Sequence, residues 1–193
     1  KFLLSLATND GKMQELDAVL FSVPGKRYRM ELTGPMGVGV ASLLWTEEGW
    51  TITFPTEKLY MSGNGYMVGL LSERSLPLVN IHQIANIFDG ILLPEKFEVV
   101  EERDGVTYGR ESSGLLFSFA KENEKVKWLA RNGRDGKQET LLFNEFRTFE
   151  GVETPAEIAF QKDGKDFLKI RIKKVARKKP FSLGTWRLKV PQS

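Results

Sequence analysis

The stretch Arg27–Gly37 reads RYRMELTGPMG and combines a strand signal with a turn signal. Its first part alternates, with Tyr28, Met30 and Leu32 at every second position, which predicts a β-strand with one apolar face. Proline cannot donate to a sheet ladder, and the glycines beside it permit a tight turn. Met36 is therefore expected at the tip of a short loop. Such a side chain, held in water, suggests contact with something apolar; the alternative is an ordinary hairpin whose methionine folds back on the sheet.

Alternation of this kind recurs along most of the chain. It predicts strands over residues 2–6, 16–23, 27–33, 38–45, 50–54, 97–101, 107–111, 115–120, 126–131, 140–148, 156–161, 166–175 and 185–190. Turn pairs such as Asp104-Gly105 and Asp163-Gly164 fall between them. A sheet this large must close into a barrel, split into a sandwich or be plugged.

The period changes in one window, between about Gly65 and Asp89. Two helices fit it better than strands, and 76–78, a Leu-Pro-Leu segment, separates them. The first helix carries an apolar stripe formed by Met67, Leu70 and Leu71. Asn80 is a good N-cap for the second helix, and Gly90 follows its end. The apolar face of the second helix consists of Ile81, Ile84, Ala85 and Phe88.

Composition and charge argue against several classes of protein. Lysine and arginine total 28 against 25 acidic residues, a balance that does not predict nucleic-acid binding. The chain has no cysteine and one histidine, which excludes disulfides, thiolate nucleophiles and zinc sites needing cysteine or two histidines. A serine triad would need His82, and nothing near it has the required spacing. We therefore expect no enzyme activity, no metal and no cofactor.

Two further features bear on membranes. No apolar run approaches the roughly 20 residues that a spanning helix needs. The densest basic cluster, within residues 171–179, has two interpretations: contact with anionic head groups, or an ordinary solvated strand end.

A set of short motifs resembles one known family. Over Phe2–Pro94 the chain resembles the outer-membrane lipoprotein receptor LolB, related to the periplasmic lipoprotein carrier LolA. The resemblance rests on RYR at 27–29, TGPMG at 33–37, EKLY at 57–60, SLPL at 75–78, IFDG at 87–90 and LLP at 92–94. The second half matches in strand rhythm, including WRLK at 186–189. Gly34 departs from the family, which has a polar residue before this proline.

The resemblance implies a fold and a role. The expected fold is mainly β (α+β): a curved antiparallel sheet of about 11 strands forming an incomplete β-barrel, as one domain over 1–193, with helices at about 65–90 plugging the opening. It implies non-catalytic binding of lipoprotein acyl chains in an apolar cavity and their delivery to the outer membrane. The expected location is the periplasmic side of that membrane, with a lipid anchor upstream of Lys1 and a LolA-like carrier as a partner. Pro35, Met36 and Gly37 would form the membrane-insertion loop.

The cavity lining is predicted from alternation alone. Its expected members are Leu43, Trp45, Trp50, Ile52, Phe54, Leu70, Ile84, Phe88, Leu115, Phe117 and Trp128. The ligand is either an acylated lipoprotein or a free lipid. Two alternatives remain open: a structural or interaction module of the envelope with a filled core, and a general lipid-binding half-barrel without lipoprotein delivery.

Overall fold

A computed structural model describes residues 1–8, 11–65, 81–132, 136–177 and 180–188. In these residues thirteen strands form one antiparallel sheet, accompanied by one α-helix, α1 (Ile81–Phe88). The strands are β1 (Phe2–Ala7), β2 (Met13–Val23), β3 (Arg27–Thr33), β4 (Gly39–Thr46), β5 (Gly49–Phe54), β6 (Leu59–Gly63), β7 (Phe97–Arg103), β8 (Val106–Glu111), β9 (Leu116–Glu122), β10 (Lys125–Asn132), β11 (Gln138–Phe149), β12 (Val152–Lys162) and β13 (Lys165–Ile172).

The strand order shows that the sheet is open. It runs β6-β5-β4-β3-β2-β1-β13-β12-β11-β10-β9-β8-β7, so β1 and β13 pair in the middle, and β6 and β7 are the two edges. Helix α1 contacts both β3 and β12, which are four places apart in this order. A flat sheet would hold those strands roughly 19 Å apart at about 4.8 Å per strand, too far for one helix to contact both. The sheet is therefore a curved, incomplete barrel, and the predicted fold class is confirmed.

The inner face of the curve is apolar because side chains alternate along every strand. Two clusters of buried side chains cover it. The larger cluster joins β1, β2 and β9–β13 to one face of α1, and it includes Phe2, Leu4, Leu16, Ile84, Phe88, Phe117, Phe143, Ile158, Phe160 and Ile170. The smaller cluster joins β3–β5 to the start of α1 and consists of Tyr28, Leu43, Trp45, Trp50, Ile52, Ile81 and Ala85.

Helix α1 ends where the sequence predicts, and contacts with the sheet hold that end. The Ile91 N–H donates to the Asn86 carbonyl at 2.9 Å and the Gly90 N–H to the Ile87 carbonyl at 3.0 Å, which is a Schellman cap. Gly90 has φ +77°, and a Cβ there would lie 3.0 Å from the Glu153 carbonyl oxygen, so this position needs glycine. The first predicted helix lies outside the described residues.

The strand predictions need three corrections. Strand β6 was not predicted, because its exposed edge residues show no apolar alternation. Strand β13 ends at Ile172 and not at Val175. The predicted strand at 185–190 is wrong for the residues described there: Leu183–Trp186 form a 3₁₀ turn.

A side chain explains why no strand forms at this turn. Arg29 of β3 donates to the carbonyls of Thr185 at 2.7 Å and Arg187 at 3.1 Å, so a guanidinium takes the place of a ladder partner. The guanidinium carbon of Arg27 lies over the ring of Trp186, 4.6 Å from the ring centroid.

Candidate functional site

The connection between β3 and β4 is the most exposed apolar feature described. Pro35–Gly37 form a single 3₁₀ turn, and Met36 is 98 % exposed at its tip. The Gly34 N–H donates to the Val38 carbonyl at 2.8 Å, which closes the base of the loop. The loop thus projects Met36 away from the sheet, as the sequence predicts, and the side chain does not fold back.

The backbone at Met36 makes this placement unusual. Met36 has φ 60° and ψ 19°, in the left-handed region that costs an L-residue roughly 1–2 kcal/mol. The other described non-glycine residues with positive φ are all polar: Lys58, Asp104, Asn123, Glu124, Glu145, Glu150 and Asp163. Asparagine and aspartate tolerate this conformation best because their side chains bond locally. The turn geometry therefore gives no structural reason for methionine.

Neighbouring contacts hold the loop in place. A Cβ added to Gly34 would lie 3.2 Å from the Val40 side chain, so the loop approaches the sheet closely at its base. The Thr56 hydroxyl donates to the Gly39 carbonyl at 3.3 Å and ties the β5–β6 turn to the start of β4. Val38 beside the tip is 51 % exposed. The apolar tip is consequently presented by a supported turn.

Most of the predicted lining residues lie on the inner face. Leu43, Trp45, Trp50 and Ile52 are buried in the smaller cluster, and Phe54 packs against it. Ile84, Phe88 and Phe117 are buried in the larger cluster. Leu70 lies outside the described residues.

Two predicted lining residues lie outside the buried clusters of that face. Leu115 precedes β9 and is 43 % exposed. Trp128 follows a β-bulge: Val126 and Trp128 pair with the consecutive residues Lys121 and Ala120, so one extra residue shifts the alternation. Leu129 takes the inner position instead, packed in the larger cluster.

The lining prediction also omitted inner-face residues on the central strands. Phe2, Phe143, Ile158 and Ile170 are at most 1 % exposed and form the middle of the larger cluster. Their alternation was visible in the sequence. The long distance in sequence between β1 and β13, which pair directly, concealed that these residues meet.

Polar groups interrupt the inner face at two places. The Glu139 carboxylate, 2 % exposed, accepts a hydrogen bond from Arg131 Nε at 3.0 Å. The His82 ring lies edge-on to Tyr28 and Trp45, with centroid distances of 4.7 and 4.3 Å. Burial lowers the pKa of His82 below its ordinary value and so favours the neutral ring.

Open grooves lie on the two sides of the end of α1. One groove of about 300 Å³ is bounded by α1, β2 and residues 174–177. The other, of about 390 Å³, is bounded by residues 90–93, β11 and the β9–β10 hairpin. Within the described ranges, no cluster of three or more acidic or histidine residues is arranged to hold a metal ion. Nor does any helix described there have the length and apolar character needed to cross a membrane.

Comparison with known proteins finds solved structures that share this fold. No protein-family model matches the sequence, and no curated protein matches it. Solved structures do match. A domain titled as an outer-membrane lipoprotein-sorting protein from Vibrio parahaemolyticus superposes with a TM-score of 0.60 at 11% identity, over 96% of this chain and 86% of that chain. A LolA superfamily protein from Nitrosomonas europaea gives 0.58 at 13% identity, over 88% and 80%. The chain has the LolA-like fold.

A third solved structure is also similar to this chain in fold. A DUF1329 family protein from Desulfovibrio piger superposes on the LolA-like fold of this chain with a TM-score of 0.53 at 14% identity, over 88% of this chain and 80% of that chain. At these identities the likeness concerns the fold. The short motifs and the three-dimensional likeness point to the same fold.

Proposed function

We propose that this LolA-like chain is a non-catalytic protein that binds the acyl chains of lipoproteins and delivers them to the outer membrane. In this proposal Pro35, Met36 and Gly37 form the loop that enters the membrane surface. The observation that carries the proposal is Met36 itself, an apolar side chain 98 % exposed at a left-handed backbone position. An observed backbone outlier of this kind is a reason to look for function.

The energy of such a contact suits a transient encounter. Burying a methionine side chain contributes about 1.5–3 kcal/mol, similar to the strain at the turn. Even a single myristoyl chain gives only reversible membrane binding. One methionine would therefore direct the loop to a membrane without fixing the protein there. A protein that must release its cargo benefits from such a weak contact.

The inner face is the proposed acyl-chain site. Each methylene transferred from water is worth about 0.8 kcal/mol, so acyl chains need no charged partner there. The side chains proposed to contact them are Leu43, Trp45, Trp50, Ile52, Phe54, Ile84, Phe88 and Phe117. Because these residues now pack against one another and α1, the helix must shift to admit a ligand. Binding would thus exchange protein contacts for lipid contacts.

Location and partners follow from the same proposal. The protein would act on the periplasmic side of the outer membrane and receive lipoproteins from a LolA-like carrier. One structural neighbour is described as an outer-membrane lipoprotein-sorting protein domain, which supports an envelope role. Exchange of cargo with a LolA-like carrier in solution would identify this chain as the acceptor. A lack of exchange would indicate that the chain is itself the carrier.

The test separates cargo binding from membrane delivery. A fluorescent triacylated lipopeptide is titrated into the wild type and Met36→Glu, and its transfer to liposomes is then followed. We expect equal saturable binding by both proteins and at least tenfold slower transfer from Met36→Glu. The control is Asp104→Glu, a change at another left-handed turn residue, which should transfer normally. Transfer that is equally fast from Met36→Glu would contradict the proposed loop function.

A second candidate is an interaction module of the envelope with a filled core. The packed inner face favours it, because both described clusters consist of side chains in mutual contact. This candidate predicts that no acylated ligand binds saturably. The same titration therefore decides between the two functions.

A further inference from the structure

The groove of about 300 Å³ beside α1 leads from the surface to the inner face. Its floor includes Leu20, Ala85 and Phe88, which belong to or pack against the buried clusters. Its outer wall is the segment 173–177 after β13, which we call the strap. Val175 of the strap packs against the larger cluster and adds to the apolar lining.

The strap is fixed at both ends. At its start, the backbone N–H groups of Lys173 and Lys174 both donate to the Lys1 carbonyl at 3.0 Å. At its far end, the Arg177 guanidinium donates to Asp89 Oδ1 at 3.2 Å and to the Phe88 carbonyl at 3.4 Å. The groove is consequently a gap between two held elements, the end of α1 and the strap.

The charges at the rim are predominantly positive. Lys173 is paired with Asp17 at 2.7 Å and Arg177 with Asp89, so these charges are compensated. Lys1 and Lys174 also line the groove, and neither side chain has an ion pair in the described part of the chain. An apolar floor below two uncompensated ammonium groups is complementary to an amphiphile with an anionic head.

A polar side chain at the wall of the groove supports the same ligand chemistry. Ser22 is one of the residues that line the groove, and its hydroxyl oxygen is buried without a hydrogen-bond partner among the described residues. A buried hydroxyl without a partner costs free energy that a ligand oxygen could recover. Ester carbonyls, carboxylates and phosphates all supply such an acceptor.

We propose that this groove binds one acyl chain with an anionic head group, of a fatty acid or a lysophospholipid. The chain would lie against Leu20, Ala85, Phe88 and Val175, and the head group against Lys174 and Lys1. A volume of about 300 Å³ is at the lower end of ligand pockets and suits one chain, not the several chains of a lipoprotein. The inference goes beyond lipoprotein delivery, because it requires no protein cargo.

The first experiment measures affinity and its dependence on charge. Pyrene-labelled dodecanoate and its uncharged methyl ester are titrated into the wild type, Lys174→Glu and the control Lys165→Glu. Lys165 is an exposed residue at the opposite end of β13 and makes the same charge change outside the groove. We expect Lys174→Glu to weaken dodecanoate binding about tenfold, Lys165→Glu to leave it unchanged, and the ester to bind all three proteins equally.

The second experiment locates the ligand. A diazirine fatty acid is photo-crosslinked to the wild type, and labelled peptides are mapped by mass spectrometry. We expect label within 20–24, 85–89 and 174–177. Label concentrated at 90–93 and 121–126, the other groove, would overturn the proposal, as would the absence of saturable binding. Competition by lysophosphatidylglycerol would show that a phosphate head is accepted, and its absence would restrict the ligand to carboxylates.

The outcome is independent of the proposed delivery function. Met36→Glu, which should impair transfer to liposomes, should bind dodecanoate with wild-type affinity. If lipopeptide binds and is delivered while dodecanoate does not bind, the groove proposal fails and the delivery proposal stands. If dodecanoate binds and lipopeptide does not, the delivery proposal fails and the groove proposal stands.

Discussion

Four turns in the described part of the chain share a backbone geometry and differ in chemistry. Each has a left-handed residue followed by a left-handed glycine: Met36-Gly37, Asp104-Gly105, Glu150-Gly151 and Asp163-Gly164. In three of them the first residue is acidic, and at two of these its carboxylate accepts a backbone N–H: Glu150 from Arg177 and Asp163 from Gln138. Met36 has no comparable contact and is 98 % exposed. The difference shows that methionine serves no evident purpose in the turn, and it directs attention to what the side chain meets outside the protein.

The largest expected effect comes from exchanging the chemistry of two turns. Met36→Asp should reduce binding to liposomes at least tenfold, because it replaces an apolar tip with a charge. Asp104→Met places methionine in the matching turn between β7 and β8. Flotation of each variant with liposomes measures the binding.

The double variant sharpens this comparison. If position matters as well as residue type, Met36→Asp/Asp104→Met should bind as poorly as Met36→Asp alone. Restored binding in the double variant would mean that any exposed methionine suffices, and the special role of the β3–β4 loop would be lost.

The glycines of the two turns should respond equally in stability. Gly37 and Gly105 have φ of +77° and +76°, and a Cβ at either would meet no atom within 4 Å. Alanine at each should therefore lower the free energy of unfolding by roughly 1–2 kcal/mol through backbone strain alone. Urea denaturation of both variants tests this equality. A cost at Gly37 well above that at Gly105 would reveal contacts that the turn geometry does not explain.

A smaller effect of opposite sign is expected at Met36. Met36→Asn should raise the free energy of unfolding by about 0.5 kcal/mol, because asparagine tolerates the left-handed conformation. Asp104→Asn should change stability little. A stabilising substitution that impairs membrane binding would indicate that the loop sacrifices stability for function. Thermal unfolding measures the stability, and a lower melting temperature for Met36→Asn would oppose this account.

The smallest expected effect is a pH dependence of stability that arises in the interior and that membrane binding by the loop does not share. Burial lowers the pKa of His82, so below about pH 6.5 this side chain binds a proton more readily in the unfolded chain than in the folded protein. Stability should fall as the pH decreases from 7 towards 5, and His82→Gln should reduce that dependence. Residues 34–38 contain no titratable side chain, so liposome binding by intact protein should not change with pH between 8 and 6.5. Urea unfolding at several pH values checks the first expectation and flotation the second.

The sequence predicted the regular parts of the fold because alternation is a local signal. Short sequence patterns predict the strand Arg27–Thr33, the turn after it, and the helix Ile81–Phe88 with its cap at Gly90. In each case the residues that decide the structure lie only a few positions apart in the sequence. The position of Met36 at a loop tip was also predictable, because proline and glycine at that spacing indicate a tight turn. The sequence left open whether the side chain folds back on the sheet, and the structure decides against it.

The remaining features depend on contacts that one strand cannot reveal. A bulge beside Lys127 moves Trp128 off the inner face, and bulges have no clear mark in an alternating sequence. Strand β6 forms because β5 offers it a ladder, despite exposed side chains. The segment at Thr185 has a strand-like pattern, but Arg29 from a distant strand satisfies its carbonyls. The predicted position of Leu70 lies outside the described residues and remains a prediction.

The most direct test of the membrane loop uses a single fluorescent label. Because the chain contains no cysteine, Met36→Cys and Asp104→Cys can each carry one NBD group at matched turn positions. Liposomes are added, and the emission maximum and the quenching by aqueous iodide are recorded. The account predicts a blue shift and protection from iodide at position 36 and no change at position 104. Equal responses at the two positions, or none at position 36, would contradict it.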